Sequence, residues 1–400
     1  MSKTKHPEEA QKENNNVVDM EQFRRKRARL KARRVIIILS VVVVLLVAGA
    51  VFAYKYINKV YETMEVMAVV DWTPTGEATI LPYGNDFISY SSDGIHCTGS
   101  KGVDLWSFSY VMQDPMVEVR GDYVAVADRG GRNVYIYDRS GPIGEIATPS
   151  PVQMIRLSAG GVVAAVLDDI TTTPVYLYYH DGTPISYFRT TMSRSGYPSA
   201  IGISDNGRLV AISFLYVDNG QITSRVAFYN FGEVGKNETD NLVSGHEYPS
   251  ELVPMVEFLD DDTAFAVAND RLMIYEGAET PTAVSENRIS GEVRSVYHGS
   301  GRVGLVYFDE GGSSKYVCDV YDQKGELDCS IHFDVDYKEI RFSGNRIIIY
   351  NSSSCEVYTT KGMLKYKGDF EDSVYLCLPG SSPDSFVLVT DAGLKNVRLK

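Results

Sequence analysis

The chain is poor in the residue types that build metal, redox and nucleophilic sites. It has six histidines and five cysteines among 400 residues. None of them falls in an H-E-x-x-H, C-x-x-C or other zinc spacing. The chain also lacks a G-x-S-x-G nucleophile elbow and a phosphate-binding loop that opens a helix. The sequence therefore predicts no cofactor, no metal ligands and no catalytic residues.

Positive charge is scarce beyond the first 34 residues. Those residues hold eleven Lys or Arg against five Asp or Glu, whereas the rest of the chain sums to −19. The acidic body excludes nucleic acid as a partner, because phosphate contacts need clustered Lys and Arg. The head is nearly free of apolar residues up to about Met20. Residues 1–34 are therefore predicted to be a disordered basic segment in the cytoplasm.

Long apolar runs are absent except for one, at residues 35–54. As a helix this uncharged run spans ~30 Å, the thickness of a bilayer core. Two interpretations are open: a signal peptide cleaved near Ala48-Gly49-Ala50, or a retained transmembrane helix that contacts the lipid bilayer. The retained helix is favoured, because the apolar run continues through Val51 to Tyr54 and a 34-residue leader is long for a signal peptide.

The charge around this run predicts its orientation. Basic residues flank the N-terminal side, and only Lys55 and Lys59 follow closely on the other side. The positive-inside rule then places the N-terminus in the cytoplasm and the C-terminal body outside, in a single-pass protein of the cell membrane. A body that remains in the cytoplasm as an assembly platform is the alternative. The residues that carry this topology signal are Arg24, Arg25, Lys26, Arg27, Arg29, Lys31, Arg33 and Arg34.

Helical periodicity is absent from about residue 76 onward. Short runs rich in Val, Ile, Tyr and Phe alternate with turns rich in Gly, Asp, Asn and Ser, which is the pattern of strands and turns. A clear copy of a repeating unit is MVEVRGD-YVAVADRGGR-NVYIYDRSG-PIGEIAT, residues 116–148. Four-stranded units of about 40 residues are typical of propeller blades. First strands of such units are predicted near residues 79, 116, 154, 201, 256, 293, 339 and 374.

These copies predict an all-β fold, an eight-bladed β-propeller over residues 66–400, joined to the membrane helix by a short stalk at residues 55–65. The last copy holds only three strands. The apolar segment MEVMAVVDW, residues 64–72, is predicted to supply its fourth strand and so to close the ring. Seven blades is the alternative, if the weak first copy and the last copy share one blade.

Two segments exceed the regular repeat and are predicted to be inserted loops. They are Tyr216 to Ile222 and Phe231 to Glu251. Loops on a rigid scaffold carry function, so these two are the predicted contact surface for a partner. Deletion of residues 233–248 is expected to leave the fold intact.

The cysteines offer one candidate disulfide. Cys318 and Cys329 flank DVYDQKGELD, and a hairpin turn centred on Gln323-Lys324 would place them opposite each other. Opposite Cα atoms in an antiparallel pair lie within disulfide range. A turn centred elsewhere would move the pair out of register.

The apolar anchor, the degenerate propeller copies and the Y-D-x-x-G turns, as in YDRSG and YDQKG, resemble a known family. It is the domain of unknown function 5711 family, uncharacterised single-pass membrane proteins of Gram-positive, clostridial gut bacteria. The resemblance covers residues from about 20 to 400 and implies an outer domain similar to WD40-like and quinoprotein-like propellers. The family supplies no catalytic residues to carry over.

Propeller enzymes leave motifs that this chain lacks. Sialidases resemble each other in repeated S-x-D-x-G-x-x-W turns, and quinoprotein dehydrogenases carry repeated tryptophans, whereas this chain has only Trp72 and Trp106. The favoured hypothesis is therefore a binding or scaffold module at the bacterial cell envelope, with a protein or cell-wall partner. The alternative is a divergent propeller hydrolase or lyase that acts on wall glycan or peptide.

Overall fold

The first element is one long helix. The computed structural model describes residues 20–400, except residues 75, 77, 170, 171, 192–194, 219 and 290. Helix α1 comprises Met20–Ile57. Within Arg24–Phe52, an 18-residue window has a mean hydropathy of 3.3, so the helix is long and apolar enough to cross a membrane. Residues 1–19 of the predicted basic head lie outside the described residues.

The second unit, Val60–Lys400, is built from eight four-stranded antiparallel sheets, which are the blades. Blade 1 consists of β2 (Thr79–Tyr83), β3 (Asp86–Tyr90), β4 (Gly94–Thr98) and β5 (Asp104–Ser109), and blade 2 consists of β6 (Pro115–Arg120), β7 (Tyr123–Asp128), β8 (Asn133–Asp138) and β9 (Gly141–Ala147). Blade 3 consists of β10 (Val152–Leu157), β11 (Val163–Leu167), β12 (Thr173–Tyr178) and β13 (Pro184–Thr190), and blade 4 consists of β14 (Tyr197–Ile203), β15 (Leu209–Asp218), β16 (Gln221–Asn230) and β17 (Leu242–Pro249).

Blades 5 to 8 complete the ring, and the last of them takes its outer strand from the start of the unit. Blade 5 consists of β18 (Met255–Phe258), β19 (Thr263–Val267), β20 (Arg271–Glu276) and β21 (Thr282–Arg288), and blade 6 consists of β22 (Ser295–Gly299), β23 (Arg302–Phe308), β24 (Tyr316–Tyr321) and β25 (Leu327–Phe333). Blade 7 consists of β26 (Glu339–Ser343), β27 (Arg346–Tyr350), β28 (Ser354–Thr359) and β29 (Leu364–Asp369). Blade 8 consists of β30 (Val374–Pro379), β31 (Ser385–Thr390) and β32 (Gly393–Leu399) together with β1 (Met64–Val70).

Ring closure follows the predicted route. Strand β1 pairs antiparallel with β32, with Met64 opposite Leu399 and Val70 opposite Leu394. The chain end adds two backbone hydrogen bonds, in which Lys400 donates to Thr63 and accepts from it. The prediction of an eight-bladed propeller is thereby confirmed, and the seven-bladed alternative is wrong.

The core lies between blades rather than within any one of them. Each of the eight buried apolar clusters joins two neighbouring blades. Second strands are almost purely apolar because both of their faces meet such clusters. Blades also approach closely at their outer strands. A Cβ on Gly144 would lie 2.1 Å from the carbonyl oxygen of His180 in blade 3, so only glycine fits there.

The two predicted insertions are regular structure. The segment around Tyr216 to Ile222 is the tip of a hairpin formed by the ten-residue strands β15 and β16. Within Phe231 to Glu251, two short 3₁₀ turns precede β17, which is the outer strand of blade 4. The expectation that residues 233–248 could be deleted without harm to the fold is therefore wrong, since the deletion removes most of a blade strand.

The hairpin that carries Cys318 and Cys329 has a different register from the expected one. Tyr321 lies opposite Leu327, so the turn is centred on Lys324. A bulge between Val320 and Tyr321 shifts the pairing further, so that Cys318 lies opposite Ile331 and Cys329 lies opposite Val320. The opposite placement that the predicted bridge required is therefore not found, and both cysteines are free thiols in the structure.

Candidate functional site: the central channel

The first strands of the blades form the inner ring around the propeller axis. Neighbouring first strands contact one another, as β6, β10, β14 and β18 do in turn and as β30 does with β2. Because every blade repeats the same meander, all first strands run in the same direction along the channel. Residues early in these strands therefore lie at one end of the channel, here the N-terminal end, and late residues lie at the other, the C-terminal end.

The C-terminal end is crossed by an ion-pair network centred on Arg156 of blade 3. Its Nη1 lies 2.7 Å from Glu118 Oε1 of blade 2, and its Nε lies 3.2 Å from Glu257 Oε2 of blade 5. One guanidinium thus joins three blades. The side chain of Glu257 is only 12% exposed, so this part of the network is shielded from water.

Arg120 extends the same network. Its Nη2 lies 2.7 Å from Asp205 Oδ1, in the turn after the first strand of blade 4. The same nitrogen donates to the carbonyl oxygen of Phe258 in blade 5, at 3.1 Å. Arg120, Arg156 and their carboxylates therefore tie blades 2 to 5 together across this end of the channel; these residues are called the ion-pair network below.

Burial shifts the titration of the groups in this network. It raises the pKa of Glu118 to about 7, with Glu257 adding to the rise and Arg156 opposing it. The pKa of Glu257 is raised as well, again by burial and against the attraction of Arg156. Burial and the positive charges of Arg120 and Arg156 lower the pKa of His298 on β22 to about 4. At neutral pH this end of the channel therefore holds a neutral histidine beside two arginines.

The chemical role that fits this geometry is structural. Two carboxylates share one guanidinium, and the network spans blades that are distant in sequence. Breaking such a group leaves uncompensated charge inside the fold, so it holds the blades in one arrangement. Glu118 and Glu257 are occupied by Arg156 rather than presented to a reactant.

The N-terminal end of the channel is open instead. A cavity of about 470 Å³ lies between blades 1, 7 and 8. The guanidinium of Arg341 has a buried Nε without a hydrogen-bond partner, and no ion pair of Arg341 occurs in the described part of the chain. We call this space the Arg341 cavity. Its lining consists of Ala78, Thr79, Ile80, Leu81, Pro82, Lys338, Glu339, Arg341, Tyr350, Tyr375 and Leu376.

The residues singled out from sequence lie elsewhere. The predicted topology signal lies on α1, where Arg24 to Arg29 and Lys31 to Arg34 are exposed. Cys318 is buried between blades 6 and 7, and Cys329 is half-buried at the same interface.

The channel charges carried a sequence signal that was missed. Glu and Arg occur at alternate positions in apolar first strands, as in VEVR and EIRF, and VEFL carries a single Glu. In a strand, such residues share one face, and in an inner strand that face can line the channel.

These features define a class: an eight-bladed propeller with a charged central channel, preceded by a helix apolar enough to span a membrane. The chain belongs to a family of unknown function, DUF5711, whose model matches residues 57–399. No curated protein matches the chain.

Solved structures share the fold at low identity. BamB from Moraxella catarrhalis is 12% identical with a TM-score of 0.50, and the match covers 84% of this chain and 100% of that one. Sqt1 from Saccharomyces cerevisiae is 9% identical with a TM-score of 0.51, at the same coverage. The computationally designed protein Ika8 is 12% identical with a TM-score of 0.50, covering 86% of this chain and 100% of that one. At such identities the likeness shows the propeller fold alone.

Proposed function

We propose that this protein is a membrane-anchored propeller that binds a protein partner outside the cytoplasm, at the cell envelope. The observation that carries the binding role is the extended hairpin of blade 4. Strands β15 and β16 have ten residues each, whereas the other described strands have four to eight. At the tip, Val217 lies opposite Ile222, and the two residues are 71% and 50% exposed.

The hairpin is held rigid below its tip. Arg225 lies over the ring of Tyr216 at 5.4 Å and forms an ion pair with Glu247 of the outer strand. One residue nearer the tip than Arg225, Ser224 donates a hydrogen bond to the Glu251 carbonyl. A rigid hairpin with an apolar cross-strand pair loses little conformational entropy when it binds. The apolar pair favours a protein partner over a hydrated wall glycan.

The anchoring role rests on α1 and its charges. The eight basic residues precede the apolar part of the helix, and six residues separate Ile57 from the first propeller residue, Met64. A retained helix would therefore keep the propeller beside the bilayer, with the N-terminus in the cytoplasm. The Gram-positive source that the family resemblance implies would make the outer compartment the space next to the cell wall.

The hairpin predicts a specific contact in cells. A photo-crosslinking residue at position 217 is expected to give a discrete protein adduct, and an Ile222→Thr change in the same chain is expected to reduce its yield about tenfold, because an exposed apolar contact is lost. Threonine keeps the β-branched shape that suits a strand. The measurement is adduct yield by immunoblot, followed by identification of the adduct by mass spectrometry.

The matched control places the crosslinker at Val284, which is 51% exposed on the outer strand of blade 5. Equal adducts from positions 217 and 284, or an adduct with wall polymer alone, would rule out the hairpin as a protein-binding site.

The topology predicts which sites a membrane-impermeant maleimide reaches in intact cells. A Val217→Cys variant is expected to be labelled, whereas a Ser2→Cys variant is expected to be labelled only after permeabilisation. The unsubstituted chain is the control, since four of its cysteines are buried and Cys329 is half-buried. Labelling of Ser2→Cys but not of Val217→Cys in intact cells would reverse the orientation. A mature chain without α1 would show that the helix is a cleaved signal.

A hydrolase or lyase that acts on wall material is the second candidate. It would use Glu118, because burial raises the pKa of this carboxyl to about 7, a value that suits a general acid or base. Glu118 would first have to leave its ion pair with Arg156. Release of soluble fragments from purified walls by the wild-type protein, and not by a Glu118→Gln variant, would distinguish the enzyme from the binding module.

A further inference from the structure

We propose that the Arg341 cavity is a binding site for a small organic carboxylate with a mostly apolar body. The site lies at the N-terminal end of the channel and is independent of the hairpin contact and of the membrane topology.

The strand β26 fixes the direction of Arg341. Ile340 and Phe342 are packed into the core between blades 6 and 7. Because side chains alternate along a strand, Glu339 and Arg341 share the opposite face, and both line the cavity. The backbone pairing of Arg341 with Ile348 on β27 holds this position in a regular ladder.

The hydrogen-bonding state of Arg341 indicates that an anion binds beside it. Its Nε is shielded from solvent without an acceptor, whereas Arg120 and Arg156 at the other end of the channel each contact a carboxylate within 3 Å. An unsatisfied buried donor is costly, and the cost is larger for a charged group. A guanidinium presents paired N–H groups that match the two oxygens of a carboxylate.

The neighbours of Arg341 suit a single negative charge. Lys338 adds a second positive charge at the exposed rim of the cavity. Burial raises the pKa of Glu339, against the attraction of Arg341 and Lys338, so this carboxyl protonates more readily than an exposed one. A protonated Glu339 would donate a hydrogen bond to a bound carboxylate.

The remaining lining indicates the body of the ligand. Ile80, Leu81 and Leu376 contribute aliphatic surface, and the rings of Tyr350 and Tyr375 contribute aromatic surface. A volume of about 470 Å³ is within the range of small-molecule sites. Together these features select an acid whose charged end meets Arg341 and whose ring or alkyl part packs on the apolar wall.

The test uses the full-length protein in lipid nanodiscs and the probe 3-(4-fluorophenyl)propionate, followed by ¹⁹F NMR linewidth. Empty nanodiscs report binding to lipid, and the neutral probe 3-(4-fluorophenyl)propanol reports apolar contact without the charge. The acid is expected to bind at least tenfold more tightly than the alcohol. Arg341→Met is expected to abolish this preference, and Arg341→Lys is expected to keep part of it, because lysine retains charge but not the paired donors.

The control variant is Arg208→Met, which removes an exposed arginine outside the cavity and is expected to bind the acid as the wild type does. Equal affinity of the wild type for the acid and the alcohol would overturn the proposal. So would unchanged acid binding by Arg341→Met. If Arg341→Met does not fold, Arg341→Lys decides alone: an affinity equal to that of the wild type would refute paired recognition of the carboxylate.

Discussion

Arg156→Met is expected to lower the free energy of unfolding by about 2–4 kcal/mol at pH 8. Removal of the guanidinium leaves Glu118 and Glu257 as two like charges with no direct partner inside the channel. The expected loss is below the largest values for buried pairs because Arg156 keeps 34% of its side chain exposed. Urea unfolding of the variant and the wild type, followed by circular dichroism, measures the difference.

The stability lost in the Arg156→Met variant should be larger at high pH than at low pH. A carboxyl whose pKa is higher in the folded than in the unfolded state adds stability at low pH, and this contribution is lost as pH rises through the folded value. In the wild type, Glu118 makes such a contribution to stability, and it is lost as the pH rises from 4.5 to about 7. Without Arg156 both carboxyls should protonate more readily, so the difference from the wild type should be largest at pH 8 and small near pH 5.

The titration of His298 changes the stability with pH in the opposite direction, so its effect must be separated from that of the two carboxyls. Its pKa is lowered to about 4, so its contribution is present above 6.5 and is lost as pH falls. Comparison of variant and wild type at each pH removes most of the His298 contribution, which is common to both.

The control is the triple variant Glu118→Gln, Arg156→Met, Glu257→Gln. It removes all three charges together, and such neutral replacements of buried ion pairs often cost little. Its stability should recover most of the loss and should not decrease between pH 5 and pH 8 relative to the wild type. A single-variant loss that is the same at both pH values, or below about 1 kcal/mol, would show that the network does not carry buried charge.

The propeller fold could be predicted from sequence because the pattern that specifies each blade lies within one short segment of the chain. Each blade repeats an apolar second strand between polar turns, and this pattern persists although the copies differ in sequence. Blade 4 shows where local information ends. The segment of β17, LVSGHEYP, has the glycine and proline of a loop, and it is a strand because it pairs with the long strand β16.

The channel could not be predicted because its contacts join distant residues. Arg156 and Glu257 are 101 positions apart, and nothing in either segment indicates the other. The unpaired state of Arg341 is equally invisible, since it depends on which side chains fail to reach the cavity. The register of the Cys318 hairpin was missed for a third reason: the turn is centred half a residue later than expected, on Lys324, and one bulge then moves every later pair.

Removal of β1 is expected to have the largest effect on the propeller. A chain that begins at Trp72 loses six residue pairs with β32 and the packing of Tyr61 and Met64 on the last blade. Backbone hydrogen bonds contribute about 1 kcal/mol each, so a loss of about 5 kcal/mol or more is expected. The bared edge of β32 should also promote aggregation. Thermal unfolding and size-exclusion chromatography measure both effects against a chain that begins at Asn58 and keeps β1.

A circular permutation tests whether pairing, rather than mere chain length, closes the ring. Lys400 lies beside Thr63 through two backbone hydrogen bonds, so a short Asn-Gly turn can connect them. A chain that begins at Trp72 and carries residues 63–71 after Lys400 and this turn would place β1 where a fourth blade strand normally follows the third. It should recover the stability and the monomeric elution of the chain that begins at Asn58. A permuted chain as unstable as the one without β1, or a chain without β1 that unfolds at the same temperature as the control, would show that β1 does not close the propeller.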